Sequence, residues 1–186
     1  MTILIIVGII VLLGIIFASM YNSLVRLRNN RENAFADIDV QLKQRHDLIP
    51  QLVDTVKGYA AHEKDTLERV IQARNGAVSA KTIDEKIAAE NQLSSALSGL
   101  KITLEAYPDR KANQNFLQLQ EEVSDVENKL AAVRRYFNSA TKEYNNAVQT
   151  FPSNIIAGMA GFRREIMFDL GTNERANLEQ APKISF

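Results

Sequence analysis

Eleven apolar or aromatic positions between Phe116 and Phe151 recur at alternating steps of three and four residues, and this constrains the fold more than any other feature. They are Phe116, Leu119, Val123, Val126, Leu130, Val133, Phe137, Ala140, Tyr144, Ala147 and Phe151. Only a helix brings such positions onto one stripe, and a stripe of this kind has to be buried against other helices. Glu121, Glu122, Lys129, Arg134 and Arg135 fall off the stripe, as the exposed faces of a bundle helix require. A second seam is Leu93, Leu97, Leu100, Leu104 and Tyr107. A third, less regular one runs through Leu24, Leu27, Ala34, Ile38, Leu48, Leu52, Val56, Leu67 and Val70. No stretch alternates with period two over a strand length, so the expected class is all-α.

The third seam starts where a different signal ends. Met1 to Val25 holds no charged side chain, and Ile3–Ala18 is almost wholly Ile, Leu, Val, Gly and Phe. About 20 such residues at roughly 1.5 Å each cross a hydrocarbon core of about 30 Å. A cleaved signal peptide is the competing reading. It fits less well, because no Lys or Arg precedes the run and the run exceeds a usual signal core. The expectation is an uncleaved anchor that continues into the first helix of the bundle. Arg26, Arg28 and Arg31 follow at once against one acid, Glu32. The positive-inside rule then puts the amino terminus outside and the bundle in the cytoplasm, with an extracytoplasmic bundle as the alternative.

Breaks between helices are also readable. Asn75-Gly76 is expected to end the first long helix, and Thr82 with Glu85 forms a capping-box pattern for the next. Tyr107-Pro108-Asp109 is expected to end the second and Phe151-Pro152-Ser153 the third, since proline disfavours α geometry before it. Pro50, set among Leu48, Ile49, Leu52 and Val53, predicts a kink or restart and not an end. The resulting plan is an anchor over 1–25, an up-and-down antiparallel bundle of about four long helices over 26–170, and a polar tail over 171–186.

Composition removes several chemistries. Cysteine is absent, which excludes disulfides, thiol catalysis and thiolate metal sites. Lys+Arg and Asp+Glu are equal at 22 each, so charge gives no nucleic-acid footprint, and nucleic acid is not an expected partner. No phosphate-binding glycine loop and no nucleophile elbow occurs. His62-Glu63 begins a zinc motif, but Thr66 stands where the second His belongs. His46 is 16 residues away, roughly 24 Å along a helix, too far to share a metal. No catalytic residue, metal or cofactor is expected.

The polar residues that remain suggest packing. Asp37, Asp39, Arg45, His46 and Asp47 make the most polar patch on a half-apolar helix. His46 and Asp47 are adjacent, and neighbours on a helix point about 100° apart, which argues against an acid–base pair. A salt-bridge network is expected instead, and Pro50 leaves an upstream carbonyl free to accept from a side chain. Tyr144 lies on the seam with Tyr136 and Asn138 beside it, and buried Tyr and Asn need partners that Asp39, Arg45 or Glu63 would supply. A last short helix is expected to show Ile155, Met159, Phe162 and Ile166 on one face, a candidate interaction surface.

Several stretches together resemble the LemA family. They include Ala34–Val40 (AFADIDV), Gln41–Pro50 (QLKQRHDLIP), Val56-Lys57-Gly58-Tyr59, His62-Glu63, Glu105-Ala106-Tyr107-Pro108, Arg134–Asn138, Tyr144-Asn145, Phe151-Pro152-Ser153 and Pro182–Phe186. Phe137 departs from the pattern, which more often has Asn directly after Tyr. The resemblance implies one N-terminal membrane segment, a bundle of about four helices and no accepted catalytic activity. It also implies a bacterial cytoplasmic membrane setting, with loose links to envelope proteins, membrane proteases and, in one branch, organelle-membrane formation. The expected function is a non-enzymatic, membrane-anchored scaffold. It self-associates as a homo-oligomer or offers a helical surface to another membrane protein, with the lipid membrane as a further partner. The alternatives are a membrane-remodelling or lipid-contacting protein, and a hydrolase or metal protein built around His46 and His62.

Overall fold

A computed structural model describes residues 1–58, 62–105 and 114–168. The described residues form five helices: α1 (Thr2–Lys57), α2 (Lys64–Ser79), α3 (Ile83–Glu105), α4 (Gln114–Gln149) and α5 (Ser153–Ala160). They group into two compact units, Met1–Ala36 with Arg135–Met167, and Asp37–Arg134 with Phe168. Both α1 and α4 contribute residues to each unit.

In the first unit, α1 and α4 run antiparallel. Leu24 shares a buried cluster with Tyr144, while Phe35 meets the Phe137 ring edge-on at 5.3 Å. Residue numbers rise on one helix as they fall on the other. Residues 1–19 are exposed, and an 18-residue window of α1 has a mean hydropathy of 3.1 with none of it buried. By length and composition this part of α1 can cross a membrane. The apolar N-terminal run and the first bundle helix are one helix, as the sequence suggested, and no break separates them.

α4 ends at Gln149, before a cis Phe151–Pro152 peptide, at the position predicted. The short α5 then buries Ile156 and Ala157. It stops at Gly161, whose φ of 76° is left-handed, and the Phe162 N–H donates back to the Ala157 carbonyl at 2.9 Å. This glycine stop corrects the expectation of one helical face reaching Ile166. Phe162 is buried, whereas Ile155, Met159 and Ile166 are exposed.

The second unit is an up-and-down bundle. Asp39 meets Lys86 and Arg45 meets Glu90, so α1 and α3 run parallel; α2 and α4 run against them. Its core contains Ile49, Val53, Val56, Val70, Leu93, Leu100 and Phe116. All the predicted α4 seam positions from Phe116 to Ala147 are buried or half-buried, and only Phe151 is exposed.

Two features of the breaks differ from expectation or sharpen it. The first long helix ends at Lys57, not at Asn75-Gly76, which lies inside α2. Glycine in a helix interior costs about 1 kcal/mol against alanine. Here the neighbouring Ala77 is buried in the core, and that tertiary contact outweighs the local cost and keeps the helix going. The Thr82–Glu85 capping box is present: the Glu85 N–H donates to Thr82 Oγ1 at 3.2 Å, and Glu85 Oε2 accepts from the N–H groups of Thr82 and Lys81. Those backbone donors hold the Glu85 carboxyl below its ordinary pKa of 4.5. Tyr107-Pro108-Asp109 and the expected tail over 171–186 lie outside the described residues.

Candidate functional site

The deepest polar group in the second unit is Glu90, 1% exposed on α3. Its Oε2 accepts from Arg45 Nη1 at 2.8 Å, and its Oε1 sits 2.5 Å from His46 Nε2. The guanidinium of Arg45 also reaches Ser94 Oγ at 3.0 Å and Glu127 Oε1 on α4 at 2.7 Å. Arg45 and His46 come from consecutive positions of α1, yet both converge on one carboxylate, one oxygen each. The cluster therefore ties α1, α3 and α4 together by charge-assisted hydrogen bonds, which hold shape more strictly than apolar contacts do.

Two shallow grooves flank this cluster. One, of about 290 Å³, is bordered by Arg45, Ser94, Ser98, Phe116, Gln120 and Glu127 among others. The other, of about 300 Å³, is bordered by Asp39, His46, Asp47, Arg74 and Lys86 among others. Nucleophilic catalysis by serine needs a base within hydrogen-bond reach of the hydroxyl. Ser94 Oγ instead accepts from Arg45, and Ser94 and His46 border different grooves. Among the described residues no group of three His, Asp or Glu side chains is placed to hold a metal ion. What the arrangement does chemically is cross-link helices.

Pro50 adds a contact to the same region. It has no N–H to give to the His46 carbonyl four residues earlier, and α1 nevertheless continues through it. Arg74 of α2 donates its Nε to that carbonyl at 3.2 Å. Asp39 takes Lys86 Nζ on both carboxylate oxygens, at 2.8 and 2.7 Å. Asp37 and Asp47 are exposed, and Asp47 pairs with Lys43 one turn back at 3.4 Å. Glu63 precedes α2, where its carbonyl accepts from the N–H groups of Thr66 and Leu67. His62 is exposed.

Tyr136, Asn138 and Tyr144 belong to the first unit. The Tyr136 hydroxyl donates to Asn30 Oδ1 at 3.4 Å and its ring is exposed; Asn138 is half-buried. Tyr144 is 1% exposed, and burial foremost, then the nearby Glu165 charge, pushes its hydroxyl pKa above the usual value of 10.0. The segment after α5 is strapped down in this unit by side chains. Asn145 donates to the Glu165 carbonyl and accepts from the Glu165 N–H, both at 2.8 Å. Arg31 pairs with the Glu165 carboxylate at 3.3 Å and donates to the Ile166 carbonyl. Arg28 lies 5.4 Å over the Phe162 ring, and Tyr21 meets that ring edge-on at 5.8 Å.

Glu90, Glu127 and the strapping role of Arg31 were missed by reasoning on local polar patches. A signal existed. Extending the Leu93 seam back by three residues lands on Glu90. On α1 the positions 31, 35, 38, 42, 45, 49, 52 and 56 keep steps of three and four, and all are buried. Arg31 and Arg45 thus sit on a seam where only apolar residues are expected. A charge on a seam position marks a buried ion pair.

One exposed apolar helix near the N-terminus, continuous with a helical bundle, defines a membrane protein carrying an all-α domain. The chain belongs to the LemA family, which it matches over residues 34–186. It is 27% identical over 166 residues to Protein LemA of Metamycoplasma hominis, covering 88% of this chain and 75% of that protein. It is 21% identical to magnetosome protein MamQ of Magnetospirillum gryphiswaldense, over 77% of this chain and 62% of that protein. Magnetosome protein MamQ 2 of Paramagnetospirillum magneticum is 20% identical, over 80% and 64%. The chain thus spans less than two thirds of the magnetosome relatives.

Proposed function

We propose that the chain is a non-enzymatic scaffold of the bacterial cytoplasmic membrane, which self-associates or offers its helical surface to a membrane or envelope partner. The observation that carries this reading is α1 itself. One unbroken helix begins as an uncovered apolar span and continues as a seam helix of the bundle, so span and domain share one element. The most polar buried cluster supports a non-catalytic role, because both Glu90 carboxylate oxygens are engaged by Arg45 and His46, and Arg45 also holds Ser94 and Glu127. Exposed Val40, Val78 and Leu117 offer apolar contact points in the second unit. Arg26, Arg28 and Arg31 favour a cytoplasmic bundle with the amino terminus outside. Similarity to proteins named for the magnetosome is consistent with a membrane setting.

The test is gentle detergent extraction of the full chain at micromolar concentration, followed by mass photometry and particle imaging. Particles holding several copies, or one copy with a co-purified membrane protein, are expected. A strict monomer with no captured partner overturns the reading.

A further inference from the structure

α5 sits beside the one stretch of α1 whose depth in a bilayer is constrained. The uncharged part of α1 ends at Val25, and about 20 residues fill the hydrocarbon core. Met20 to Val25 therefore fall at the boundary between acyl chains and headgroups. In the first unit, Ile156, Ala157 and Phe162 share a buried cluster with Leu24, and Met20, Val25 and Leu27 pack against it. α5 is held at that boundary by direct contact with the span.

Its other side is apolar and uncovered. Phe151, Ile155 and Met159 are 75%, 54% and 74% exposed. Residues 151–162 contain no Asp, Glu, Lys or Arg, and Arg163 and Arg164, both exposed, follow immediately. A helix with apolar residues outward and arginines at its end suits the interface, where the apolar face enters roughly 5–10 Å and the guanidinium groups stay with phosphates.

We propose that α5 is a second membrane contact: it lies in the headgroup boundary of the leaflet next to the bundle, with Phe151, Ile155 and Met159 in lipid. The occupant of this face is the bilayer, because α5 packs against Met20, Leu24 and Val25, where the uncharged run of α1 ends, and its uncharged apolar face is followed directly by Arg163 and Arg164. This contact differs from the surface offered to a protein partner and stands or falls apart from it.

The chain has no tryptophan, so Met159→Trp introduces a single emitter. The full chain is placed at one copy per nanodisc, with phospholipids brominated near the headgroup end of the acyl chain. Val78→Trp, exposed on α2, is the control, and Ile155→Trp repeats the measurement on the same face of α5. Met159→Trp and Ile155→Trp are expected to lose emission relative to unbrominated discs, with Val78→Trp unchanged. Emission of both α5 variants as insensitive to bromine as the control overturns the proposal. So does shielding that develops only when several copies share a disc, which assigns the face to a second copy.

Discussion

At the scale of single residues, the buried ion pair is the most sensitive point of the second unit. Removing one partner of a buried pair strands the other charge, which costs about 3–5 kcal/mol, whereas replacing both by apolar groups is often near neutral. Arg45→Met leaves the Glu90 carboxylate buried beside His46 alone. Urea unfolding of the detergent-solubilised full chain is expected to register a loss of that order for Arg45→Met, and a clearly smaller loss for Arg45→Met with Glu90→Leu. Additive losses would show that the two residues are not coupled. Half of this cluster was legible beforehand: Arg45 and His46 stood out as polar residues on a half-apolar helix. Glu90 did not, because its neighbours Ala88, Ala89, Asn91 and Gln92 look like an ordinary solvated stretch, and only the phase of the Leu93 seam gives it away.

At the scale of elements, helix ends were read where side chains close them and misread where the core overrides them. The Thr82–Glu85 box was visible because capping is local. Gly76 misled because the burial of Ala77 is not local. The capping box has a pH signature. The Glu85 carboxyl is held below its ordinary pKa of 4.5 by the N–H groups it accepts from, so its contribution is complete above about that value and is lost as pH falls through the lowered one. Amide exchange at Lys81, Thr82 and Glu85 is therefore expected to quicken on acidification into that range, after correction for intrinsic rates, and to lose this dependence in Glu85→Gln. A second element depends on one side chain. Asn145→Ala removes both hydrogen bonds to the Glu165 peptide, each worth about 0.5–1.5 kcal/mol, and should release the amides after α5 to faster exchange while α4 keeps its protection.

At the scale of the whole molecule, a membrane-length apolar helix was legible from sequence because an uncharged run of this length has few other uses. The exposed face of α5 was legible only as a list of apolar residues, since the glycine stop at Gly161 decides which of them turn outward. Deleting residues 2–20 is expected to convert a carbonate-resistant protein into one that carbonate strips from membranes, as read by fractionation. Carbonate resistance of the shortened chain would mean that α1 is not the main anchor.

The shared use of α1 also has a consequence during synthesis. Tyr144 lies 120 residues after Leu24, its partner in the first unit's buried cluster. At about 5–20 residues per second, the ribosome leaves the α1 seam waiting roughly 6–24 s for the helix that covers it. A wholly apolar seam left uncovered beside the membrane for that time would find other apolar surfaces first. Arg31 and Arg45, each on a seam position, keep the waiting helix hydrated and selective, and become buried only when Glu165, Glu90 and Glu127 have been made.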